Sequence, residues 1–284
     1  MPIDKSASSN EDFIGKSLIY LEKNFADLSM DRSPFGSWVR DLLRTPFWTD
    51  KISHIKDIKK ICIALADAQD LVFSKTPEPK YHNRSHFKDV CLSITELLKT
   101  QKQIAPSLDS SSLWVISDHD ALILLLCAIC HDFGHDGSIN THPFEIEKKS
   151  IALVENFLAE TSLELFTRKE IIKSIQPIIL STDPKYLPIL LNKFDSKKNL
   201  ERADYLSALM VEADLLASTL PQKGKSLGEQ LSEEWQLNNP ESAAVVKTNK
   251  GRLYFLEHIR FISPQSGALG MENIRNISIH QVKE

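Results

Sequence analysis

The chain has 284 residues, an ordinary apolar content of 42% and a formal net charge of −4. This length accommodates one large enzyme domain, and the weakly acidic balance excludes the broad positive field with which proteins hold a nucleic-acid backbone. The longest uncharged apolar stretch, residues 121–130, is too short to cross a bilayer.

The N-terminus is polar and Ser-rich over residues 1–11, which predicts a disordered segment, and residues 12–284 predict a single helical catalytic domain. Because the first residues lack the apolar run of a signal peptide, we expect a cytoplasmic protein. Four cysteines are then expected to stay reduced and to serve as small core residues. They are Cys62, Cys91, Cys127 and Cys130.

Apolar residues recur at helical spacing from Phe13 to Leu28 and again from Ile52 to Phe73. The next apolar stripe, from Phe87 to Leu98, predicts a helix with one buried face. This stripe places His82 and His86 near the N-terminal end of that helix, one turn apart.

A buried helix is predicted to follow Ser117, whose hydroxyl suits an N-cap, with Asp118 and Asp120 in the first turn. The helix continues as ALILLLCAIC, which is apolar on every side. It therefore belongs in the centre of the domain.

The remaining segments also predict helices, beginning with one that has Pro143 in its first turn. The others cover residues 168–180, 200–219, 226–238 and 243–261, with a loop at Pro184 and residues 195–198. Residues 262–276 are turn-rich and are expected to fold back over the site. Since no segment shows sustained two-residue alternation, the predicted fold class is all-α.

Histidines give the strongest functional signal, because six of the nine lie between residues 82 and 142. His82 and His86 form one compact pair, and His131 and His135 form another within HDFGHDGSIN. Histidines four apart on a helix can reach one site, whereas His131 and Asp132 end a buried helix, where charge needs compensation. Burying so many ionisable groups would be costly without a bound cation.

A further carboxylate interrupts an apolar helix in LMVEADLLAS. Asp214 shares its helix face with Met210 and Ala217 and is the predicted ligand, whereas Glu212 can reach solvent. Mixed imidazole and carboxylate ligands suit zinc, iron or manganese at a first site, and an oxygen-rich second site suits magnesium or manganese. Two such ions activate water against phosphorus, so the predicted chemistry is phosphoester hydrolysis.

Four segments resemble, in order, the blocks of class I 3′,5′-cyclic nucleotide phosphodiesterases of the HD superfamily. The segments are YHNRSHFKDV, SDHDALILLLCAICHDFGHDGSIN, ILSTDPKY and EADLLAS. The resemblance is strongest over residues 81–262. It implies a compact multi-helix domain that hydrolyses a cyclic nucleotide to the 5′-monophosphate with a hydroxide bridging two metal ions.

The resemblance also implies roles for individual residues. It makes His82 the general acid that protonates the leaving 3′ oxygen. It implies that His135 and Thr182 hold water molecules bound to the second metal. It also implies that either Glu145 or Glu147 takes the equivalent acidic role there. The residues that match the first-metal ligands are His86, His131, Asp132 and Asp214, of which Asp132 would also bridge to the second metal.

The residues themselves agree with general-acid chemistry, because an alkoxide leaving group needs a proton and His82 lies one turn from His86. An acidic neighbour such as Glu257 or Glu212 is expected to orient His82.

The base-recognition segment, KGRLYFLEHI, departs from the family pattern. Arg252 stands where family members usually carry a glutamine, and Phe255 stands where a clamping aromatic is expected. Because arginine offers only donors, we expect an altered base preference. A shifted helix register would instead leave Arg252 on the surface. Beside the last ligand, Val211 and Ala217 replace the usual histidine and asparagine.

Other interpretations remain open. The string CAICH, residues 127–131, matches a c-type haem signature, but it lies inside an apolar helix, so no haem is predicted. The chain is alternatively an HD phosphohydrolase of another nucleotide or small phosphoester, or a metal-binding regulatory module without turnover. The predicted partner is a small phosphoester, with no nucleic-acid polymer and no membrane, and the oligomeric state stays open.

Overall fold

Helices account for the architecture throughout the residues that a computed structural model describes, which are 5–52, 56–109 and 111–284. These residues form α-helices joined by short loops, one 3₁₀ turn at Ala105–Ser107 and no strand. The predicted all-α fold class is therefore confirmed.

The helices are α1 Lys5–Met30, α2 Phe35–Leu42, α3 Pro46–Ile52, α4 Lys56–Lys75, α5 Arg84–Lys99, α6 Gln101–Ile104, α7 Asp118–Cys130, α8 Glu145–Ala159, α9 Leu165–Leu180, α10 Leu187–Ser196, α11 Arg202–Thr219, α12 Pro221–Trp235, α13 Pro240–Val246, α14 Asn249–His258, α15 Pro264–Leu269 and α16 Met271–Lys283.

The apolar helix α7 lies in the centre of the molecule, as the sequence predicts. Ser117 caps it in a capping box, since its hydroxyl accepts the Asp120 N–H at 3.1 Å while the Asp120 carboxylate accepts the Ser117 N–H at 3.3 Å. Every residue from Ala121 to Cys130 is buried. Helices α4, α5, α9 and α11 pack around α7, so the last turn of α7 ends between neighbouring helices.

The start of α5 differs slightly from the prediction. Asn83 is its N-cap, because the Asn83 side chain accepts the N–H groups of Ser85 and His86 at 2.8 and 3.2 Å. His86 therefore lies in the first turn of α5, whereas His82 precedes the helix. The backbone N–H of His82 therefore needs a hydrogen-bond acceptor outside α5, and a carboxylate far away in the sequence provides it.

Several other boundaries are corrected by capping residues that the periodicity does not reveal. The segment predicted as one helix over 243–261 divides into α13 and α14, since Thr248 caps α14 by accepting the Gly251 N–H at 3.0 Å. The turn-rich residues 262–276 form α15 and the start of α16, with Ser263 as the cap of α15. Helix α12 begins at Pro221 and not at residue 226, and α10 extends into the predicted loop as far as Ser196.

Pro143 precedes α8 instead of lying in its first turn. Helix α8 begins at Glu145, after Phe144, which adopts the left-handed conformation with φ 63°. A residue with a Cβ pays of the order of 1–3 kcal/mol for such a conformation. Surrounding contacts must therefore hold Phe144 in place.

The N-terminal helix α1 begins at Lys5, inside the segment 1–11 that was predicted to be disordered, and residues 1–4 lie outside the described residues. All four cysteines are free and buried, and burial raises the pKa of Cys62 to about 12. They are core residues, as predicted. None of the described helices combines the length and the apolarity that crossing a membrane requires.

Candidate metal centre

Three helices bring four metal-type donors to one place. Helix α5 supplies His86, the C-terminal end of α7 supplies His131 and Asp132, and α11 supplies Asp214. The His86 Nε2 atom lies 3.2 Å from His131 Nε2, 3.4 Å from Asp132 Oδ2 and 3.4 Å from Asp214 Oδ1. The His131 Nε2 atom lies 3.1 Å from Asp132 Oδ2 and 3.6 Å from Asp214 Oδ1.

These separations fit one cation. Donors about 2.1 Å from a shared ion are roughly 3.0 to 3.4 Å apart when they occupy neighbouring positions around it. Four of the five separations, 3.1 to 3.4 Å, fall in this range, and the fifth, 3.6 Å between His131 Nε2 and Asp214 Oδ1, is slightly longer. The donor atoms of His86, His131 and Asp132 all lie within 4.8 Å of one another, and all three residues are buried. These side chains could therefore hold a metal ion.

A hydrogen bond fixes the orientation of the His131 ring. Its Nδ1 atom lies 3.2 Å from the carbonyl oxygen of Ala128 and donates to it, which leaves the lone pair of Nε2 facing the cluster. Burial alone would lower the pKa of His131, but the charge of Asp132, its hydrogen bond and the charge of Asp214 raise that pKa to about 9. Burial would raise the pKa of Asp132, but the neighbouring histidines hold it well below its usual value.

A carboxylate on α12 supports His82. The Glu234 Oε1 atom lies 2.5 Å from His82 Nδ1, and Oε2 accepts the backbone N–H groups of Tyr81 and His82 at 2.7 and 3.0 Å. The other ring nitrogen, Nε2, lies 3.8 Å from Asp132 Oδ2. Burial would lower the pKa of His82, but the Glu234 hydrogen bond, with the negative charges of Asp132, Glu234 and Asp214, raises it. The Glu234 contacts therefore fix the orientation of the His82 ring and favour its protonated form beside Asp132.

The orienting residue is therefore Glu234, and the expectation that Glu257 or Glu212 orients His82 is wrong. Glu257 pairs with Lys283 on the surface at 3.0 Å. Glu212 is fully buried instead of reaching solvent, and its carboxylate accepts the backbone N–H groups of Ile262 and Ser263 at 2.5 and 2.8 Å. Glu212 anchors the segment before α15 to α11.

The His135 ring stacks on His82, with 3.7 Å between the ring centroids. A tight turn at Gly134, φ 74°, returns the chain so that His135 can reach this position. The Gly137 N–H donates to His135 Nδ1 at 2.9 Å, which leaves the proton on Nε2. Burial and the neighbouring His82 lower the pKa of His135 to about 4. His135 is therefore a neutral donor.

His82, His135 and Glu234 also form a second group of possible metal ligands, with donor atoms within 4.8 Å of one another. The lone pair of His135 Nδ1 already accepts the Gly137 N–H, and His82 Nδ1 is engaged with Glu234. Because His135 Nδ1 is occupied as an acceptor and His82 Nδ1 as a donor, we interpret the group as a hydrogen-bonded cluster and not as a cation site.

The two candidate glutamates at the start of α8 have different surroundings. Glu145 is exposed and accepts from the Thr141 side chain at 2.6 Å. Glu147 is buried, and both of its oxygens accept from Asn140 Nδ2, at 3.1 and 2.9 Å. Burial and the negative charges of Asp183 and Asp132 raise the pKa of Glu147. Of the two glutamates, Glu147 is therefore the buried one, and the negative charge of Asp132 acts on its carboxyl group.

Comparison with known proteins agrees with this geometry. The sequence model of the family described as 3′5′-cyclic nucleotide phosphodiesterase matches residues 81–241. The chain belongs to this phosphodiesterase family. It is a metal-dependent phosphodiesterase, and no curated protein matches it in sequence.

Solved structures share the fold of this phosphodiesterase. LmjPDEB1 in complex with IBMX superposes with a TM-score of 0.59 at 14% identity, covering 84% of this chain and 90% of that one. The phosphodiesterase domain of Salpingoeca rosetta rhodopsin phosphodiesterase gives a TM-score of 0.51 at 16% identity, covering 86% and 93%. At these identities the likeness shows the fold alone.

The phosphodiesterase uses Arg252 differently from the expectation. The guanidinium donates to the backbone carbonyls of Leu220, Ser218 and Pro221, at 2.8, 3.3 and 3.4 Å, where α11 ends and α12 begins. No contact among the described residues joins Arg252 to the histidine cluster. Phe255 is partly buried against the core. Arg252 therefore ties α14 to the α11–α12 corner.

Thr182, also predicted from the sequence, lies in the turn between α9 and α10. The Thr182 hydroxyl donates to the carbonyl of Ile179 at 2.8 Å, in the turn after α9. Two further residues were not predicted from the sequence: Asn140, which lies in the loop before α8 and donates to Glu147, and Asp183, which accepts the Phe144 N–H of the same loop. Asp183 lies inside the segment ILSTDPKY, and this segment was the signal from which it could have been predicted. No local pattern around Glu234 indicates that it pairs with His82, which lies 152 positions away in the sequence.

Proposed function

We propose that this phosphodiesterase hydrolyses a 3′,5′-cyclic nucleotide to the 5′-monophosphate, with two divalent cations and with His82 as general acid. One observation carries the proposal. The Nε2 atom of His131 lies 3.1 to 3.6 Å from carboxylate oxygens of Asp132 and Asp214, and beside them lies His82, whose Nδ1 is hydrogen-bonded to the carboxylate of Glu234. A cation cluster and an adjacent proton donor are what cleavage of a phosphodiester with an alkoxide leaving group requires.

The first cation would be held by His86, His131, Asp132 and Asp214, a donor set that suits zinc, iron or manganese. The second cation, magnesium or manganese, would share Asp132, with waters held by His135, Thr182 and Glu147. When bound, the two cations lower the pKa of a water and neutralise charge that develops on phosphorus.

The residues of the chain do the proton chemistry on the leaving group. His82 Nδ1 donates to Glu234, so the ring keeps one orientation and Nε2 presents its proton beside Asp132. We propose that this proton goes to the leaving 3′ oxygen. The neutral His135, stacked on His82, can donate through Nε2 to a water or a phosphate oxygen without adding a full charge.

A substrate panel tests the proposal. Purified protein is assayed with cyclic AMP, cyclic GMP, a linear phosphodiester and a phosphomonoester, each with manganese, magnesium and zinc, and products are identified by phosphorus NMR. We expect a cyclic nucleotide to give its 5′-monophosphate. Turnover confined to the other esters would indicate an HD phosphohydrolase of different substrate class, and no turnover by metal-loaded protein would indicate a regulatory module.

Metal analysis tests the ligand assignment separately. The purified protein is expected to contain a tightly bound transition metal, and Asp132→Ala is expected to lose the most, since Asp132 lies beside both proposed cations. A protein without bound metal that added metal also fails to activate would contradict the assignment.

A further inference from the structure

The turn between α9 and α10 is hydrogen-bonded to the loop that precedes α8. Asp183, 1% exposed, accepts the backbone N–H of Phe144 at 2.9 Å with one carboxylate oxygen and that of Lys185 at 2.9 Å with the other. The rings of Phe144 and Tyr186 meet edge to face with centroids 5.8 Å apart. The Lys185 ammonium donates to the Asn140 carbonyl at 3.3 Å. A buried carboxylate thus lies at the centre of a junction between two chain segments.

The backbone of Phe144 is strained at this junction. Among the described residues, three with side chains have positive φ, namely Phe144, Lys197 and Asn199. An aromatic residue is poorly suited to the left-handed region and keeps it only where its surroundings impose it. The hydrogen bond from the Phe144 N–H to Asp183 is a contact that imposes it directly.

The conformation of Phe144 sets where α8 begins, and Glu147 lies in the first turn of that helix. Asn140 fixes the side chain of Glu147 and also accepts the Ile146 N–H at 2.8 Å. The negative charge of Asp132 acts on Glu147 and contributes to its raised pKa. A shift of the α8 start would therefore change the distance between these two carboxylates.

Resting on the proposed function, we propose that Asp183 is a positioning residue for the second divalent cation. By holding Phe144 in the left-handed conformation, Asp183 fixes the start of α8 and so the separation of Glu147 from Asp132. The affinity for a cation that depends on both carboxylates is sensitive to this separation. Substitution of residues that hold metal-binding groups in place, without contacting the metal themselves, weakens metal affinity about 10- to 100-fold.

The experiment measures manganese binding to protein that already holds its first metal, by electron paramagnetic resonance of free Mn²⁺. Asp183→Ala is expected to weaken binding of the second ion about 10- to 100-fold, while elemental analysis shows that the first metal is retained. Hydrolysis should need a correspondingly higher magnesium concentration, with the maximal rate at saturation less affected.

A rescue variant separates positioning from general damage. Glycine adopts positive φ without strain, so Phe144→Gly in the Asp183→Ala background is expected to recover a large part of the lost manganese affinity. Asp204→Asn is the matched control, because Asp204 is also a buried carboxylate that accepts a backbone N–H, that of Glu201 at 2.9 Å. This control should leave manganese affinity unchanged.

Asp183→Asn is the second variant, used if Asp183→Ala does not fold, and it should weaken manganese binding in the same direction but less. Unchanged affinity in a folded Asp183 variant, or equal weakening with and without Phe144→Gly, would overturn the inference. Failure of the proposed function looks different, since the wild-type protein would then bind no second ion or hydrolyse no cyclic nucleotide.

Discussion

Glu234 determines how His82 can act, because its carboxylate fixes both the ring and the backbone of that residue. The ring nitrogen Nδ1 lies 2.5 Å from Glu234 Oε1, and the Tyr81 and His82 N–H groups bind Oε2. A histidine that precedes its helix has no helical hydrogen bonds to hold it. The glutamate replaces that support and adds a negative charge that favours the protonated ring.

Removing the imidazole should separate chemistry from metal binding. His82→Ala is expected to retain bound metal and to lower turnover of an alkyl phosphodiester roughly 100-fold or more, the usual worth of a general acid. A p-nitrophenyl ester leaves without needing a proton, so its hydrolysis should fall much less. Equal losses on both esters would remove His82 from the general-acid role.

Removing only the carboxylate charge should shift the pH dependence. The Glu234 hydrogen bond and charge raise the pKa of His82, and the acid must be protonated to work. Glu234→Gln should therefore lower that pKa and move the alkaline limb of the kcat/KM profile to lower pH. The profile of the p-nitrophenyl ester serves as the control and should not move. An alkaline limb that stays in place would contradict the pairing.

Sequence reasoning found the residues that lie in compact motifs and missed those that long-range folding brings in. His131, Asp132 and His135 could be chosen because they follow an apolar helix within a few positions. Glu234 could not, since 152 positions separate it from His82 and a single glutamate in a charged helix carries no periodic signal. Buried partners of this kind depend on packing that a single sequence does not encode locally.

At the scale of the element, the corner between α11 and α12 is a junction of several helices. Arg252 of α14 donates to the carbonyls at this corner, while Glu22 of α1 accepts the backbone N–H groups of Gln222 and Lys223 at 2.8 and 3.3 Å. Lys223 also pairs with the buried Asp89 of α5 at 2.7 Å. The corner fixes the start of α12, which carries Glu234 to His82.

Arg252→Gln should therefore change stability more than base preference. The shorter side chain cannot satisfy the same partly buried carbonyls, and leaving acceptors there unpaired costs about 1–3 kcal/mol of unfolding free energy, measurable by urea denaturation. The ratio of kcat/KM for cyclic AMP to that for a base-free phosphodiester should stay the same.

Arg260→Gln is the control for Arg252→Gln. Arg260 makes an exposed pair with Asp195 at 2.9 Å, and exposed pairs contribute little to stability. A rise in cyclic AMP hydrolysis of roughly tenfold or more in Arg252→Gln, a typical value for one discriminating hydrogen bond, would restore Arg252 as a base-reading residue.

Helix type was predictable and helix ends were less so. The apolar period identified α5, α7, α9 and α11, because their buried faces repeat over several turns. It joined α13 to α14, since the break depends on the single hydroxyl of Thr248. It also could not show that Phe144 takes positive φ, because an aromatic residue rarely does so.

At the scale of the whole molecule, the proposed first-metal ligands belong to three helices that pack against one another. Helices α5, α7 and α11 are mutually in contact, and their donors converge with His86 and His131 almost fully buried. Among the described residues, the ion pairs of the Asp132 and Asp214 carboxylates are with imidazoles. A bound ion would therefore join three parts of the core at once, and its loss would weaken all their contacts.

Metal binding should consequently be visible in global stability. Chelation that removes the metal is expected to lower the unfolding temperature, and re-added metal should stabilise the protein by about 1.4 kcal/mol for each tenfold rise in free ion above its Kd. For a chain of this size, each kcal/mol corresponds to roughly 2–4 °C. Asp214→Asn should flatten this dependence because it removes a donor from α11, whereas Asp195→Asn, at an exposed position, should keep it. Calorimetry at several metal concentrations, with metal content measured in parallel, gives the test. An unfolding temperature that stays constant while the bound metal is removed would show that the ion does not link these three helices.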